Sequence, residues 1–456
     1  MNLHFLWYET RANIWWRPLA WSVAAVLLAF ALLQLDQEMA YRGLTDVSPW
    51  LFVDSADGAR TLLGAVATAM LTVATLAFSI LMIAVVQTAN AYSPRVLREY
   101  LSDAGNQHVL GILLGVFLYT LVVLRRVEET PERTFLPMLS VSAAVVLSLL
   151  AVLAFIYFIN HVAHSIEVGS IIDRISEEAA DLIDALFPST VGVEWVGEKP
   201  PALPPGTGKV IYTREAGYLE AVAGEALMEA LVEADAVLRL ERTIGDFLFR
   251  EIPLATLWTP EPAGEELVET IVDSVNITNE RSTVQDLHFG LKQLNDIALR
   301  ALSPAINDPR TAVHCVYVLG DLLSELGRRP RVSHYRCDEE GDLRLIAHGP
   351  TFVTALDSAY LELMPYIVTD SLATAQLLEV YAALANAVHH EQDRDKLWQH
   401  LWRVAFSLRQ TVTAPWDKTE LNRRLEVAAD ALGRPAEGLL LRLEMPEAYI
   451  AGKEAE

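Results

Sequence analysis

Four long apolar runs fall within the first 165 of 456 residues, and nearly all of the charge follows them. Residues 1–164 hold 11 Asp and Glu against 9 Lys and Arg, a net of −2; residues 165–456 hold 48 against 26, a net of −22. A run of about 18 or more apolar residues is long enough to cross bilayer hydrocarbon. Backbone in that medium must satisfy its own hydrogen bonds, so the spanning structures are helices or closed barrels. The chain is therefore built for two solvents, lipid for its first third and water for the rest. The apolar content of 52% fits that division and is high for a chain wholly in water.

The runs predict spans at about 18–35, 61–90, 109–124 and 135–160. In the second, residues 61–94 carry no charge over 34 positions. As a helix they would extend roughly 51 Å against about 30 Å of hydrocarbon, so this span tilts or projects. Residues 125–134 are the short link between spans three and four, which should pair antiparallel. Glu9, Arg11 and Arg17 precede the first run and no small-residue cleavage site follows it, so it reads as a retained span. With the N-terminus inside, five arginines lie near each side, and the positive-inside rule does not vote. Two features favour an inside N-terminus, and four spans return the chain to its starting side, so both termini are expected in the cytoplasm. The loop 36–57 holds five acids and one base, and the large C-terminal part has only Cys315 and Cys337, too few for a disulfide framework.

Within the second span, Thr68, Thr72, Thr75 and Ser79 recur at spacings of four, three and four, which puts four hydroxyls on one helical face. Asn90 continues that face, with Gln87 beside it. Hydroxyls and amides so arranged can line a pore; equally, each hydroxyl can bond back to the preceding turn. Gly111 and Gly115 in the third span form a GxxxG pair suited to close helix packing, within the chain or between copies. Residues 94–108 read as an amphipathic helix in the headgroup layer. Asn160, His161, His164 and Glu167 sit on adjoining faces where the fourth span ends. They could form an inner mouth, a pH-sensitive gate or an ion-selective ring; as a mononuclear metal site they would need further ligands, and no metal is assigned. No ionisable residue falls within the four predicted spans.

A charged helix, 166–186, continues span four, and Pro-rich 198–208 reads as a linker, giving a connector over 166–208. Residues 209–258 read as a small β-α-β-β unit whose helix covers 218–233, and 259–456 as mainly helical with a hairpin near 332–348. Helix 282–302 places Leu287, Leu291, Leu294, Ala298 and Ala301 on one face and Asp286, Gln293, Asp296 and Arg300 on the other. Asn307 or Asp308 can cap the next helix, with Pro309 in its first turn. His389, His390 and His400 read as surface histidines. The fold class expected is an α-helical membrane protein with four transmembrane helices, followed by a mixed α+β, mostly helical cytoplasmic domain.

The stretch RSTVQDLHFGLKQLNDIALRALSPAINDPRTA, 281–312, resembles a bacterial family of predicted membrane proteins, domain of unknown function 2254. The segments AFSILMIAVVQTANAYSPRVL, GILLGVFLYTLVVLRRV, FINHVAHSI, GYLEAV and GDFLFREIPL carry the same likeness. The resemblance implies a four-span membrane protein with a soluble C-terminal domain, and it brings no activity or cofactor with it. The motif block around Arg281, Asp286, Gln293, Asp296, Arg300, Asn307 and Asp308 reads as a ligand or subunit-contact site, or as a capped helix-turn-helix joint.

An acidic chain, with pI near 4.9, is a poor partner for nucleic acid. There is no phosphate-binding glycine loop, HExxH or nucleophile elbow, so a catalytic role is not expected. Two readings remain. One is a homo-oligomeric channel or channel-like pore lined by span two, passing ions. The other is a membrane-anchored sensor or scaffold whose cytoplasmic domain binds a ligand or partner.

Overall fold

The computed structural model describes residues 15–42, 55–91, 103–130, 133–165, 167–197, 200–260, 262 and 264–442. Residues 94–102 of the expected headgroup helix lie outside them, as does the Asn90 side chain. The chain forms two compact units, Met1–Ile171 and Ile172–Glu456.

The first unit holds helices α1 (Trp16–Tyr41), α2 (Ala56–Ala91), α3 (Ala104–Leu124) and α4 (Met138–Ser165), with a small hairpin, β1 (Glu128–Thr130) and β2 (Arg133–Phe135), between α3 and α4. All four helices are long and apolar enough to cross a membrane. At 36 residues α2 is about 54 Å long. Its inward seam is Leu63, Ala67, Met70, Ala74, Ala77, Leu81 and Ala84, all buried at alternating four- and three-residue spacing. Four alanines in that seam let α2 approach Val109, Leu113 and Val116 of α3 and Ala151, Phe158 and Val162 of α4. Lipid is as apolar as the seam, so shape fit rather than hydrophobic transfer holds such helices together.

The GxxxG pair serves contact within the chain. A Cβ on Gly111 would stand 2.9 Å from Trp21 Cβ and 3.0 Å from Pro18 Cα, and one on Gly115 would stand 3.2 Å from Ala25 Cβ. These glycines seat α3 against α1. The Trp21 Nε1–H donates to His108 Nδ1 at 2.8 Å across the same contact.

Asp36 lies one residue beyond the predicted end of span one, and the helix continues past it. It belongs to α1, is 7% exposed, and accepts from the Leu139 and Ser140 backbone N–H groups, each at 2.9 Å. The Ser140 hydroxyl also donates to it at 2.5 Å. These N–H groups belong to the first turn of α4, which no intrahelical carbonyl can reach. A carboxylate from another helix thus does the work usually left to the preceding residue. Sequence spacing cannot show a cap supplied from more than 100 residues away. Replacing Asp36 with Ala should destabilise the purified protein by roughly 1–2 kcal/mol, read as a lower midpoint of heat unfolding in detergent, with Asp36→Asn losing less.

In the second unit, α5 (Val168–Asp184) buries Ile171, Ile172, Ile175, Ala179 and Ile183. It is not an extension of α4, which ends at Ser165; the Glu167 N–H turns back to the His164 carbonyl, at 3.1 Å, and α5 starts after it. Next come β3 (Val193–Glu194), β4 (Lys209–Tyr212), β5 (Gly217–Val222), α6 (Gly224–Glu233), β6 (Val237–Leu240), β7 (Phe247–Leu248), β8 (Pro253–Trp258), α7 (Glu265–Asp273) and β9 (Val275–Thr278). Then follow α8 (Leu287–Ala301), α9 (Pro309–Arg328), β10 (Tyr335–Cys337), β11 (Leu343–Ile346), α10 (Phe352–Tyr360), α11 (Met364–Ile367), α12 (Ser371–Ala387), α13 (Glu391–Thr411) and α14 (Pro415–Ala431).

Six strands form one sheet in the order β3-β10-β11-β6-β8-β4, and three form another, β7-β5-β9. The β-α-β-β region and the hairpin near 332–348 are joined in the larger sheet, where Leu345 of β11 pairs in parallel with Leu238 of β6. A single core runs from Phe187 and Val191 through Leu238 and Leu257 to Leu345 and Ala347. Residues 217–222 are strand, not the start of a helix. They pair with β9, and Tyr218 meets Phe247 edge to face at 5.0 Å. Leu, Glu and Ala favour helix locally, but cross-strand burial outweighs that preference.

His400 is also corrected. His389 and His390 are exposed, but His400 is buried between α10 and α12. Its Nε2 lies 2.8 Å from Asp357 Oδ1, its Nδ1 3.3 Å from the Tyr381 hydroxyl, and Lys396 Nζ donates to Asp357 Oδ2 at 2.6 Å. Burial pushes the His400 pKa down, against the pull of Asp357. Burial also opposes ionisation of Asp357, but hydrogen bonds from Lys396 and His400 outweigh it and hold that carboxyl below its usual range. A histidine with a depressed native pKa stays neutral where the unfolded chain takes up a proton, near about pH 6.5. Folding then loses stability as pH falls below that value. Asp357 adds to the loss only at lower pH, as its own depressed pKa is approached. Heat unfolding of the second unit should occur at a lower temperature at pH 5.5 than at pH 7.5, and His400→Gln should flatten the difference.

Candidate functional site

Three groups of residues stand out in the sequence, and the structure treats each differently. The hydroxyls of α2 all bond back along their own helix. Thr68 Oγ1 donates to the Gly64 carbonyl at 2.9 Å, Thr72 to Thr68 at 2.8 Å, Thr75 to Leu71 at 2.9 Å, and Ser79 to Thr75 at 2.9 Å. All four residues and Gln87 are exposed on the single chain, beside the buried alanine seam. Each hydroxyl oxygen keeps acceptor capacity after donating.

At the end of α4 the histidines take separate partners. His161 Nε2 lies 2.9 Å from Asp103 Oδ1, and the same oxygen accepts from the Asn106 N–H at 2.9 Å, capping α3. The His161 ring stacks on Tyr157 at 5.4 Å. Gly105 permits this approach, since a Cβ there would meet His161 Nε2 at 2.9 Å. His164 Nδ1 lies 2.8 Å from its own helix's Asn160 carbonyl, and Glu167 is exposed. Among the described residues no group of three or more His, Cys, Asp or Glu is arranged to hold a metal ion.

The motif block forms a joint between α8 and α9. Asp286 caps α8, accepting from the Phe289 N–H at 3.0 Å, and pairs with Arg281 at 2.5 Å. Gly245, at φ +90°, sits directly against this pair; a Cβ there would fall 2.5 Å from Asp286 Oδ2. Asn307 takes a left-handed φ of +51°, and Asp308 caps α9 through the Thr311 N–H and hydroxyl at 3.2 and 2.6 Å. Pro309 opens α9. Leu287, Leu291, Leu294, Ala298 and Ala301 are buried as expected, but Asp286 and Gln293 are buried too. Asp296 and Arg300 are half-buried and each engaged in a polar interaction. The polar side of α8 therefore faces protein rather than water, which a helical wheel cannot show when neighbours cover both sides.

No residue pattern pointed to a cavity of about 700 Å³ in the second unit. Leu326, Val332, Val353 and Phe352 are its apolar lining, Arg329, Arg331 and Arg336 bring positive charge to it, and His334 lies among them. Arg329 pairs with Asp184 and Glu325. Arg331 bonds Asp393 and Gln392, at 2.7 and 2.8 Å. Arg336 differs. It is 4% exposed, and its guanidinium is held by main-chain carbonyls: Nε donates to Val191 at 2.6 Å, and Nη2 to Ser189 and Gly192, both at 2.9 Å. Gly192 has φ +52°, and a Cβ there would lie 2.3 Å from the Cys337 carbonyl, so this turn requires glycine. Burial pushes the Arg336 pKa down, partly offset by Glu194, yet a guanidinium stays charged in proteins. The His334 and His348 rings lie 4.4 Å apart, tilted at 52°, and His334 Nδ1 is buried without a hydrogen-bond partner among the described residues. Burial first, and His348 second, lower the His334 pKa.

Four lipid-length helices followed by a mostly helical unit with two sheets define the class of protein, a membrane protein. The chain belongs to the family described as "Predicted membrane protein (DUF2254)", which matches residues 11–383. It is 30% identical over 346 residues to "Uncharacterized protein Rv1290c" of Mycobacterium tuberculosis (strain ATCC 25618 / H37Rv), an alignment covering 75% of this chain and 66% of that protein. The same figures hold for "Uncharacterized protein Mb1321c" of Mycobacterium bovis (strain ATCC BAA-935 / AF2122/97). The chain thus spans about two thirds of the length of these relatives. No solved structure matches it.

Proposed function

We propose that this protein is a membrane-anchored sensor whose C-terminal unit binds a small molecule. The observation that carries this reading is the cavity of about 700 Å³, which lies within the usual size range of small-molecule sites and combines an apolar wall with converging polar groups. The four helices hold the chain in a bacterial inner membrane, with both termini on the cytoplasmic side. The back-bonded hydroxyls of α2 support an anchoring role, since a self-satisfied hydroxyl is tolerated against lipid. The test is a metabolite screen by heat unfolding of the full chain in detergent, since a ligand of the native state raises the unfolding temperature. At least one compound should stabilise the wild type and leave Val332→Trp, which fills the cavity, unmoved. A broad library without such a compound would overturn the reading.

A second reading is a homo-oligomeric, channel-like pore, and the outward exposure of Thr68, Thr72, Thr75 and Ser79 favours it. Copies arranged about an axis would bring these oxygens, with Gln87 and Asn90, to a shared ion path, and Asn160, His161, His164 and Glu167 to its inner mouth. Bilayer recordings decide it. Conductance that disappears with Thr72→Leu plus Thr75→Leu supports a pore, and conductance unchanged by the pair removes α2 from the path.

A further inference from the structure

We infer that the cavity of the C-terminal unit is an oxyanion site, taking a carboxylate or phosphate that carries an apolar group, with Arg336 as its anchor. The inference rests on the sensor reading above and adds the ligand's chemistry.

Buried cations are ordinarily neutralised by a carboxylate in contact, and the arginine on the neighbouring strand β11 obeys that rule. Arg344, 7% exposed, bonds Asp338 at 2.7 Å and Asp235 at 2.6 Å. Arg336 is more deeply buried and has no carboxylate within ion-pair distance among the described residues. The three carbonyls that hold it fix the plane of the guanidinium without cancelling its charge. They occupy Nε and Nη2 and leave the Nη1 donors unused, on a side chain that lines the cavity.

The acids of the cavity wall are already engaged. Asp184 is bound to Arg329, Asp393 to Arg331, and Glu194 Oε1 accepts from the Ser333 N–H at 3.2 Å. His334 adds a ring nitrogen buried without a partner. A planar guanidinium held in place presents its N–H groups in the geometry that carboxylate and phosphate oxygens match. Phe352, Val353 and Leu326, also in the lining, offer nothing to a second charge, so they suit the apolar remainder of the ligand.

The experiment is calorimetric titration of the full chain in detergent with four probes: phenyl phosphate, phenylacetate, benzyl alcohol and benzylamine. The two anions should bind and the neutral and cationic analogues should bind at least tenfold more weakly, the scale of one hydrogen bond to a charged group. Arg336→Lys, which cannot hold the same three carbonyls and a ligand together, should weaken anion binding by roughly tenfold or more. Val332→Trp, which keeps every charge, should abolish it and guards against misreading an unfolded Arg336 variant. Anions binding no better than benzyl alcohol, or binding Val332→Trp as well as wild type, would overturn the inference. If the metabolite screen then yields a neutral or cationic compound blocked by Val332→Trp, the sensor reading stands while the oxyanion assignment falls.

Discussion

Hydrocarbon offers a backbone amide no partner except the protein itself, and the first unit is organised around that constraint. Inside a helix the ladder of carbonyls meets it; at a helix start nothing does. The first turn of α4 is served from α1 by Asp36, so one side chain joins the ends of two helices. The hydroxyls of α2 answer the same constraint from the side-chain direction, by donating to carbonyls one turn back. Beyond these bonds, close approach decides the packing, and the glycines of α3 and alanines of α2 provide it.

In the second unit the described residues include no helix long and apolar enough to cross a membrane, and its strands and helices close over an apolar core. Its core depends on strand pairs far apart in sequence, such as β6 with β11. Polar groups drawn inside by that folding are matched almost everywhere: His400 with Asp357 and Tyr381, Arg344 with Asp338, Asp286 with Arg281. Arg336, 4% exposed at the wall of a cavity, is instead held by carbonyls, and local rules relaxed in one place are where binding sites are found.

Much of the fold was legible in the residues. The four helices follow from length and hydropathy, since each apolar run exceeds what a bilayer requires. The cap of α9 was legible because Asp308, Pro309 and Thr311 are close neighbours whose chemistry is local. The strand 217–222 was not, because its stability comes from β9, more than 50 residues later. The burial of His400, the covered polar side of α8 and the capping by Asp36 were hidden for the same reason. In each, the partner that sets the environment lies on another element.

By itself the sequence determined the partition between lipid and water, the number and placement of the apolar helices, and the local caps and turns. These depend on periodicity, composition and neighbouring side chains, all of which are written in order along the chain. Only the tertiary structure decided that the GxxxG pair packs against α1, that the α2 hydroxyls turn to their own backbone, and that Arg336 reaches a cavity without a carboxylate partner. Those outcomes depend on which distant surfaces meet, and a linear order of residues does not specify distance across the fold.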